Sequence, residues 1–451
     1  MNRQTCKKTA TPEWFTRGSI YQINPRTFSS EGTLRSVTEE LPFLADLGFK
    51  VIYLCPIFRE DDSPTGHSPR QIASGTKNPK NPYRMNDYFE IDPEYGNMDD
   101  LRELVDAAHR LGLKVMLDLV YLHIGPNADI LKRNPDFAER DENGNTVLTR
   151  WNFPKLNYKN EGLKEYLWCN MTYYVGAIGV DGFRCDVGDE VPLDFWLEGR
   201  RRIRAISADA VMLNEGTDVS YLEEAFDASY CFDWHEIIYD TVRNGASARK
   251  IRECHEGMYI RAPQEALVMR DIDNHDTVTD WPERTEVAVG NGGMELIEML
   301  NYFIDGVPMV YCGNELADTT ELSMFANRFY RGRFTATDRG IKNDSRSIRR
   351  QQLIRRLNAF KFSSDTLCLG KTEWLENSDG DRVLSFARRY KDESIIFIGN
   401  FSKQPCSVKI DAPNEQMREM LFESETAPRF DGEPVSLPAF GYAIFKAQII
   451  K

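Results

Sequence analysis

Eight apolar runs recur along the chain: SIYQINPRTF (19–28), VIYLCPIF (51–58), KVMLDLVYLH (114–123), VDGFRCDVG (180–188), AVMLNEG (210–216), ASYCFDW (228–234), ALVMRDIDNHD (266–276) and PMVYCGNE (308–315). A short run that is hydrophobic nearly throughout reads as a strand covered on both faces, the mark of a parallel sheet. Between the runs lie stretches with apolar residues every three to four positions, such as LRSVTEELPFLADLG, MDDLRELVDAAHRLG, LKEYLWCNMTYYVGAIG, PLDFWLEGRRRIRAIS and MELIEMLNYFIDG. That spacing predicts helices, and several of them end in Gly, as a helix C-terminus should. Alternation of strand and helix over about 340 residues predicts an α/β fold, a closed (β/α)8 TIM barrel rather than an open sheet.

Two connections break the rhythm. Residues 59–97 form a long segment rich in Pro, Gly and Asn after the second strand, and residues 124–160 form a short inserted subdomain after strand 3. Long loops at the C-terminal mouth of a barrel are where specificity is built. After a charged helix at 345–361 the pattern becomes period-two: RVLSFARRY, SIIFIGNF, CSVKIDA and YAIFKAQII. The expected division is a catalytic barrel over 1–363, including the 124–160 insertion, and a C-terminal antiparallel β-sandwich over 364–451.

Charge narrows the partners. With 56 basic and 70 acidic residues the formal charge is -14, and no Lys/Arg stripe is long enough to follow a phosphate backbone, so nucleic acid is not an expected partner. The cluster GRRRIRAI at 199–206 reads as a solvated helix face. No stretch is long and apolar enough to span a bilayer, and the basic start MNRQTCKK lacks the apolar core of a signal peptide; a cytoplasmic location is expected. Nine cysteines with no CxxC pair fit that compartment, and Cys55, Cys185, Cys231 and Cys312 inside apolar runs read as buried thiols.

The chemistry sits at the ends of the runs. VMLDLVYLH closes at His123, VDGFRCD at Asp186, VMLNE at Glu215 and LVMRDIDNHD at Asp276. In a parallel barrel these ends share one mouth, so carboxylates, an arginine and histidines converge there, an arrangement suited to acid/base work on a neutral polyhydroxylated substrate. Cleaving a glycosidic bond needs one carboxylate to attack or activate water and one carboxylic acid to protonate the leaving oxygen. Asp186 and Glu215 are the natural pair. Arg184, two residues before Asp186, points to the same face of its strand and should keep Asp186 ionised, while the apolar run before Glu215 should raise its pKa and keep it protonated. Each residue taken singly could equally be a salt bridge or a helix cap. His109 reads as a packed or capping helix residue, and His67 as undecided. Among the tryptophans, Trp151 and Trp196 read as core, with Trp234 and Trp281 the two close enough to strand ends to serve as sugar platforms.

These residues carry a resemblance to the α-amylase superfamily, glycoside hydrolase family 13. DLVYLH resembles the family's DxxxNH motif, GVDGFRCD its GxDGFRxD nucleophile motif, and NHD at 274–276 its third motif; IYQINPRTF, NPYRMNDYFEIDPEYGNMDDLRELVDAAHRLGLKVMLD and GVPMVYCGNE also agree, so that the likeness spans roughly residues 14–360. The resemblance implies Asp186 as nucleophile, Glu215 as acid/base and Asp276 as the carboxylate gripping ring hydroxyls. It also implies that Arg184 orients the nucleophile, that His123 and His275 bond the sugar, and that Tyr83 stacks on it. A retaining mechanism follows, with the carboxyl groups of Asp186 and Glu215 about 5–5.5 Å apart. The implied activity is hydrolysis of α-glucosidic bonds in malto-oligosaccharides or starch-derived α-glucans. A transglycosylase or sugar isomerase of the same superfamily is the second reading, and a non-catalytic scaffold the third.

Three departures from the family pattern stand out. Leu122 replaces the Asn that is a calcium ligand in many members, and leucine offers no oxygen, so no structural calcium and no other cofactor is expected. Gly188 and Asp189 replace a Lys-His pair that touches the leaving-group sugar. Arg84 replaces an aspartate after Tyr83, with Asp87 and Tyr88 still in place.

Overall fold

The computed structural model describes residues 11–261, 266–327, 343–412, 415–425 and 434–449. All eight apolar runs contain barrel strands: β1 (Ile20–Ile23), β2 (Val51–Leu54), β3 (Lys114–Leu119), β4 (Gly182–Cys185), β5 (Val211–Asn214), β6 (Ala228–Ser229), β7 (Leu267–Arg270) and β8 (Val307–Tyr311). They pair in parallel, in chain order, and β8 closes on β1 through Ile20↔Met309.

The strands are shorter than the runs. β6 stops after Ser229, and Phe232–Tyr239 is a helix rather than the end of a strand. β7 stops at Arg270, and the chain then turns on Asn274, whose Oδ1 accepts from the amides of Asp276 and Thr277. The chain stays buried from Asp271 to His275 past β7 and keeps apolar residues at Tyr230, Cys231 and Phe232 past β6, so neither run marks where its strand stops.

Period-two alternation splits the barrel interior into two levels. Phe15, Ile20, Val51, Met116, Val211, Leu213, Met269, Val307 and Met309 pack the lower level, so the barrel is filled rather than hollow. Two residues further along the same strands the inward positions turn polar: Gln22 after Ile20, Tyr53 after Val51, Asp118 after Met116 and Glu215 after Leu213. This step from apolar to polar along the strand direction is what makes the C-terminal mouth chemical. Outside, helices such as Leu34–Asp46, Met98–Arg110 and Leu193–Ile206 cover the strands with buried aliphatic faces. The helix Glu161–Tyr173 runs on through a wide turn to Ile178 and ends at Gly179, which takes φ +87° at little cost.

The segment after β3 forms the expected small insertion, with the helix Asp129–Arg133 and antiparallel bridges such as Ala138↔Leu156 and Leu148↔Pro154. Beyond the helix Ser345–Ser363 comes an antiparallel sheet in the order β13 (Glu415–Glu423), β15 (Tyr442–Ile449), β11 (Glu393–Asn400), β10 (Val383–Tyr390), β9 (Lys371–Trp374). One face of this sheet joins the barrel's helices through Phe386, Phe397 and Ile444. The other packs Ala387, Ile396 and Ile398 against a two-stranded ribbon, β12 (Cys406–Val408) with β14 (Val435–Leu437), giving the sandwich. No helix among the described residues is long and apolar enough to cross a membrane.

Candidate active site

Six of the seven expected site residues line one cavity of ≈ 730 Å³ at the C-terminal mouth of the barrel: Tyr83, His123, Asp186, Glu215, His275 and Asp276. The seventh, Arg184, lies fully buried beneath them. Its Nη1 donates to Asp186 Oδ1 at 2.9 Å and to Asp118 Oδ1 at 2.7 Å, and its Nη2 stands 2.5 Å from Glu215 Oε1. At an effective dielectric near 20 each such contact is worth ~6 kcal/mol, close to the several kcal/mol that each buried ion costs. The cluster therefore adds little to stability and makes sense as a device that positions carboxylates.

Asp118 was not among the expected site residues, although a lone carboxylate in the middle of an apolar strand was a visible signal. It pairs with Arg184 across the β3–β4 register and accepts from the hydroxyls of Tyr53 at 2.7 Å and Tyr83 at 3.0 Å. Tyr83 OH lies 2.6 Å from His275 Nε2, and Gln22 Nε2 donates to His275 Nδ1 at 2.9 Å. The amide fixes the tautomer: Nδ1 accepts, so Nε2 carries the hydrogen and donates to Tyr83, which donates on to Asp118. Burial lowers the pKa of His275, consistent with a neutral ring. His123 is built the same way. Its Nε2 meets the Tyr83 carbonyl at 2.9 Å, which leaves Nδ1 as a buried acceptor without a protein partner, and burial takes its pKa to about 4.

The two central carboxylates differ from the expectation that Arg184 would keep Asp186 acidic. Burial outweighs the guanidinium and, with the nearby Glu215 carboxylate, pushes Asp186 well above the usual range. Burial likewise carries Glu215 to about 7 against the opposing pull of Arg184. Burial and the repulsion between the two carboxyls disfavour ionising both, so their protons leave in separate steps. Their surroundings differ in hydrogen bonding. Both oxygens of Glu215 are engaged, Oε1 by Arg184 and Oε2 by the Val187 amide at 2.8 Å, whereas Asp186 Oδ2 has no partner. Val187 reaches that amide geometry only at φ +44°, a strained conformation for a β-branched residue directly after Asp186. Asp276 stands apart: although burial opposes ionisation, His275, whose Nε2 lies 3.2 Å from Asp276 Oδ2, and the Arg70 guanidinium hold it well below the ordinary carboxylate range.

Arg70 is the second residue that sequence reasoning missed. It comes from the long 59–97 connection and contacts Asp276 Oδ1 at 2.6 Å. Nothing in the local text SPRQIA separates it from a solvent-facing arginine.

The aromatic expectations need correction. Trp234 is fully buried, donates to Asn301 Oδ1 and packs 4.2 Å from the Arg270 guanidinium; because its strand ended early, it sits in a helix facing the core. Trp281 does line the cavity, stacked on Tyr239. Trp151, read as core, also lines it, carried there by the insertion and packed against His123. Trp196 is core. His109 bonds Asp181 at the protein surface, and His67 is not part of the cavity wall.

The positions that depart from the family pattern carry other chemistry in the fold. Leu122 is buried in the hydrophobic core. Arg84 is buried among oxygens instead, 3.2 Å from Asp61 and hydrogen-bonded to the carbonyls of Ser63 and Pro79, so a guanidinium already supplies positive charge to that loop. Among the described residues no group of His, Cys, Asp and Glu is arranged to hold a metal ion. Gly188 has no room for a side chain, since a Cβ would stand 2.2 Å from Asn214 Oδ1, and Asp189 accepts from the amides of Thr217 and Asp218 at the cavity rim.

Comparison with known proteins agrees with this architecture. The model of the α-amylase catalytic domain matches residues 9–149 and 146–363, and that of the maltogenic amylase C-terminal domain matches residues 372–444. A maltogenic α-amylase of Bacillus acidopullulyticus is 30% identical over 96% of this chain and 78% of its own length. A cyclomaltodextrinase of Geobacillus thermopakistaniensis is 27% identical over 97% of this chain and 76% of its own. The chain spans about three fifths to three quarters of the first curated relatives it matches. In three dimensions, the crystal structure of a noncanonic maltogenic α-amylase from Thermotoga neapolitana superposes with a TM-score of 0.78 at 24% identity, covering 97% of this chain and 100% of that one. With its catalytic barrel, its C-terminal domain and the ends of β3, β4, β5 and β7 gathered on one cavity, this chain belongs to the α-amylase family of glycoside hydrolases.

Proposed function

We propose that this protein hydrolyses α-glucosidic bonds in malto-oligosaccharides or related starch-derived α-glucans with retention of anomeric configuration. The observation that carries the reading is the single Arg184 guanidinium holding Asp186 and Glu215 on neighbouring nitrogens. Two carboxyls gripped in that way sit close together, which suits the ~5–5.5 Å of a retaining site better than the wider inverting gap. In the reactive form of the pair the proton is on Glu215 and Asp186 is ionised: Glu215 gives its proton to the glycosidic oxygen as the bond to C1 breaks, and Asp186 attacks C1 from the opposite face to form a glycosyl ester. Glu215, now a carboxylate, takes a proton from water as that water attacks C1 and frees Asp186. Asp276, held ionised, accepts hydrogen bonds from ring hydroxyls and stabilises positive charge at the anomeric centre. His123 offers Nδ1 to a hydroxyl, and Tyr83 offers its ring face to the sugar.

The same proposal has the enzyme working without a structural calcium, on the strength of Leu122 and Arg84, and in the reducing cytoplasm, where the eight described cysteines would remain the free thiols they are. Incubation with maltose, maltoheptaose, pullulan, sucrose and trehalose in the presence of EDTA tests it. Reducing sugar should form from the malto-oligosaccharides in step with bond cleavage, and the initial product should be the α-anomer by NMR. Longer or rearranged glucans with little net hydrolysis would instead favour the transglycosylase or isomerase reading, and turnover lost to EDTA would overturn the calcium-free one.

A further inference from the structure

The wall of the cavity beside Asp276 is closed by an arginine. Arg70 lies in the short helix Pro69–Ala73, whose start is fixed by Ser68 Oγ accepting from the Gln71 amide. Its guanidinium bridges two carboxylates, with Nη1 2.6 Å from Asp276 Oδ1 and Nε 2.7 Å from Asp280 Oδ1, while Nη2 donates to the Asp276 carbonyl at 3.2 Å. Met324 Sδ, 3.9 Å away, and the Phe325 ring, 5.8 Å away, pack beside it. Thr76 and Asn78, further along the same connection, donate to the Phe325 carbonyl. The loops after β2, β7 and β8 are thus tied into one strap, with Arg70 at its inner edge.

The cavity wall around Glu215 is built differently. Glu215 runs directly into Gly216, Thr217 and Asp218, whose amides at Thr217 and Asp218 bond Asp189, and Arg150 pairs with Glu190 beside them. A leaving group departs on the side of the acid that protonates it, so glucan beyond the scissile bond runs toward Glu215 and Asp189. Glucan on the other side of the reacting ring would have to run past Asp276, where the strap stands.

We infer that Arg70 is a specificity residue that ends the site beyond the ring gripped by Asp276, so that the protein takes the non-reducing terminus of an α-glucan and cuts from that end. This rests on the hydrolytic function proposed above and deepens it. The device is steric and electrostatic together: a further sugar on the non-reducing side would separate Arg70 from both Asp276 and Asp280, and only part of that loss would be returned by new hydrogen bonds to hydroxyls. Because Arg70 is partly solvent-exposed, its ion pairs are weaker than those of Arg184, and the strap is removable without dismantling the barrel.

The test compares 4-nitrophenyl α-maltoheptaoside with the same compound blocked by a 4,6-ethylidene group on its non-reducing ring, following labelled fragments by chromatography. The wild-type protein should shorten the open substrate from its non-reducing end and cut the blocked one at least about tenfold more slowly. Arg70→Ala and Asp280→Asn should each raise the blocked-to-open ratio by about tenfold and bring internal cuts into the first products, with Arg70→Lys intermediate. A variant that merely loosened the site would slow both substrates alike and leave the ratio unchanged. Equal wild-type rates on the two compounds, or variants that keep the wild-type ratio and fragments, would overturn the inference while leaving hydrolysis intact. Failure of the wild-type protein to cut even the open substrate would remove the function on which it rests.

Discussion

Asp186→Asn is expected to lower kcat on malto-oligosaccharides by about a thousandfold or more, because an amide cannot form or release the glycosyl ester through which turnover runs. The fold should be untouched. Asparagine has the same shape, and its carbonyl oxygen can keep the hydrogen bond that Arg184 Nη1 now gives Asp186 Oδ1. Stability should in fact be retained or increased. Arg184 is a single cation touching three carboxylates, those of Asp118, Asp186 and Glu215, and burial already pushes Asp186 toward its protonated form. Removing one negative charge from that crowd relieves repulsion that function imposes on the fold. Thermal unfolding measured beside kcat checks both halves: a large fall in rate with an unchanged or higher midpoint. A variant that loses its activity only by unfolding would not support Asp186 as the nucleophile.

Glu215→Gln should lower kcat by about 10²–10⁴-fold, and the loss should depend on the leaving group. An aryl α-glucoside with an acidic phenol departs without protonation, so its first step is largely spared and the variant should accumulate glycosyl-enzyme, seen as a burst of phenol. Azide needs no general base: it attacks C1 of the ester, releases the Asp186 carboxylate and yields a glucosyl azide, so added azide should speed turnover. The same residue sets the alkaline side of the pH profile. Glu215 must be protonated to act as acid and its pKa lies at about 7, so wild-type kcat/KM on maltoheptaose should fall as pH rises through about 7. It should fall again toward low pH as the Asp186–Glu215 pair gains its second proton. In Glu215→Gln the alkaline fall should disappear for the activated aryl substrate. A wild-type profile flat to strongly alkaline pH would contradict the role given to Glu215.

The barrel and most of its site were legible in the sequence because both follow from simple periodicity. A buried parallel strand leaves an uninterrupted apolar run, and an inward polar residue at its end has only the mouth to face, which is how His123, Asp186 and Glu215 could be placed. Strand ends were harder to see. ASYCFDW stays apolar past Ser229 because Tyr230 and Trp234, in the turn and helix that follow, are also buried, and Trp234 was misplaced as a result. In the C-terminal domain, Lys371–Trp374 and Glu415–Glu423 are edge strands in which charged residues interrupt the alternation, and they were not anticipated.

Residues that act through distant partners were the least legible. Asp118 matters because β3 and β4 align it with Arg184, and Gln22 because β1 brings it beneath His275. Arg70 matters only because three loops meet, separated from Asp276 by 206 residues of chain. The acidity of Asp186 was misjudged for a related reason. Reading Arg184 two positions away gave it a private counter-ion, but in the folded protein that guanidinium is divided among three carboxylates, two of them contributed by other strands.

The central claim is that Asp186 becomes covalently bonded to the substrate's anomeric carbon, and mass spectrometry of the protein after reaction with 5-fluoro-α-glucosyl fluoride tests it most directly. The ring fluorine slows release of the sugar more than its capture, so the intact protein should gain the mass of one fluoroglucosyl group, and fragmentation should place that mass on Asp186. The same mass found on Glu215 or Asp276, or an unmodified protein that nonetheless turns over maltoheptaose, would contradict the account.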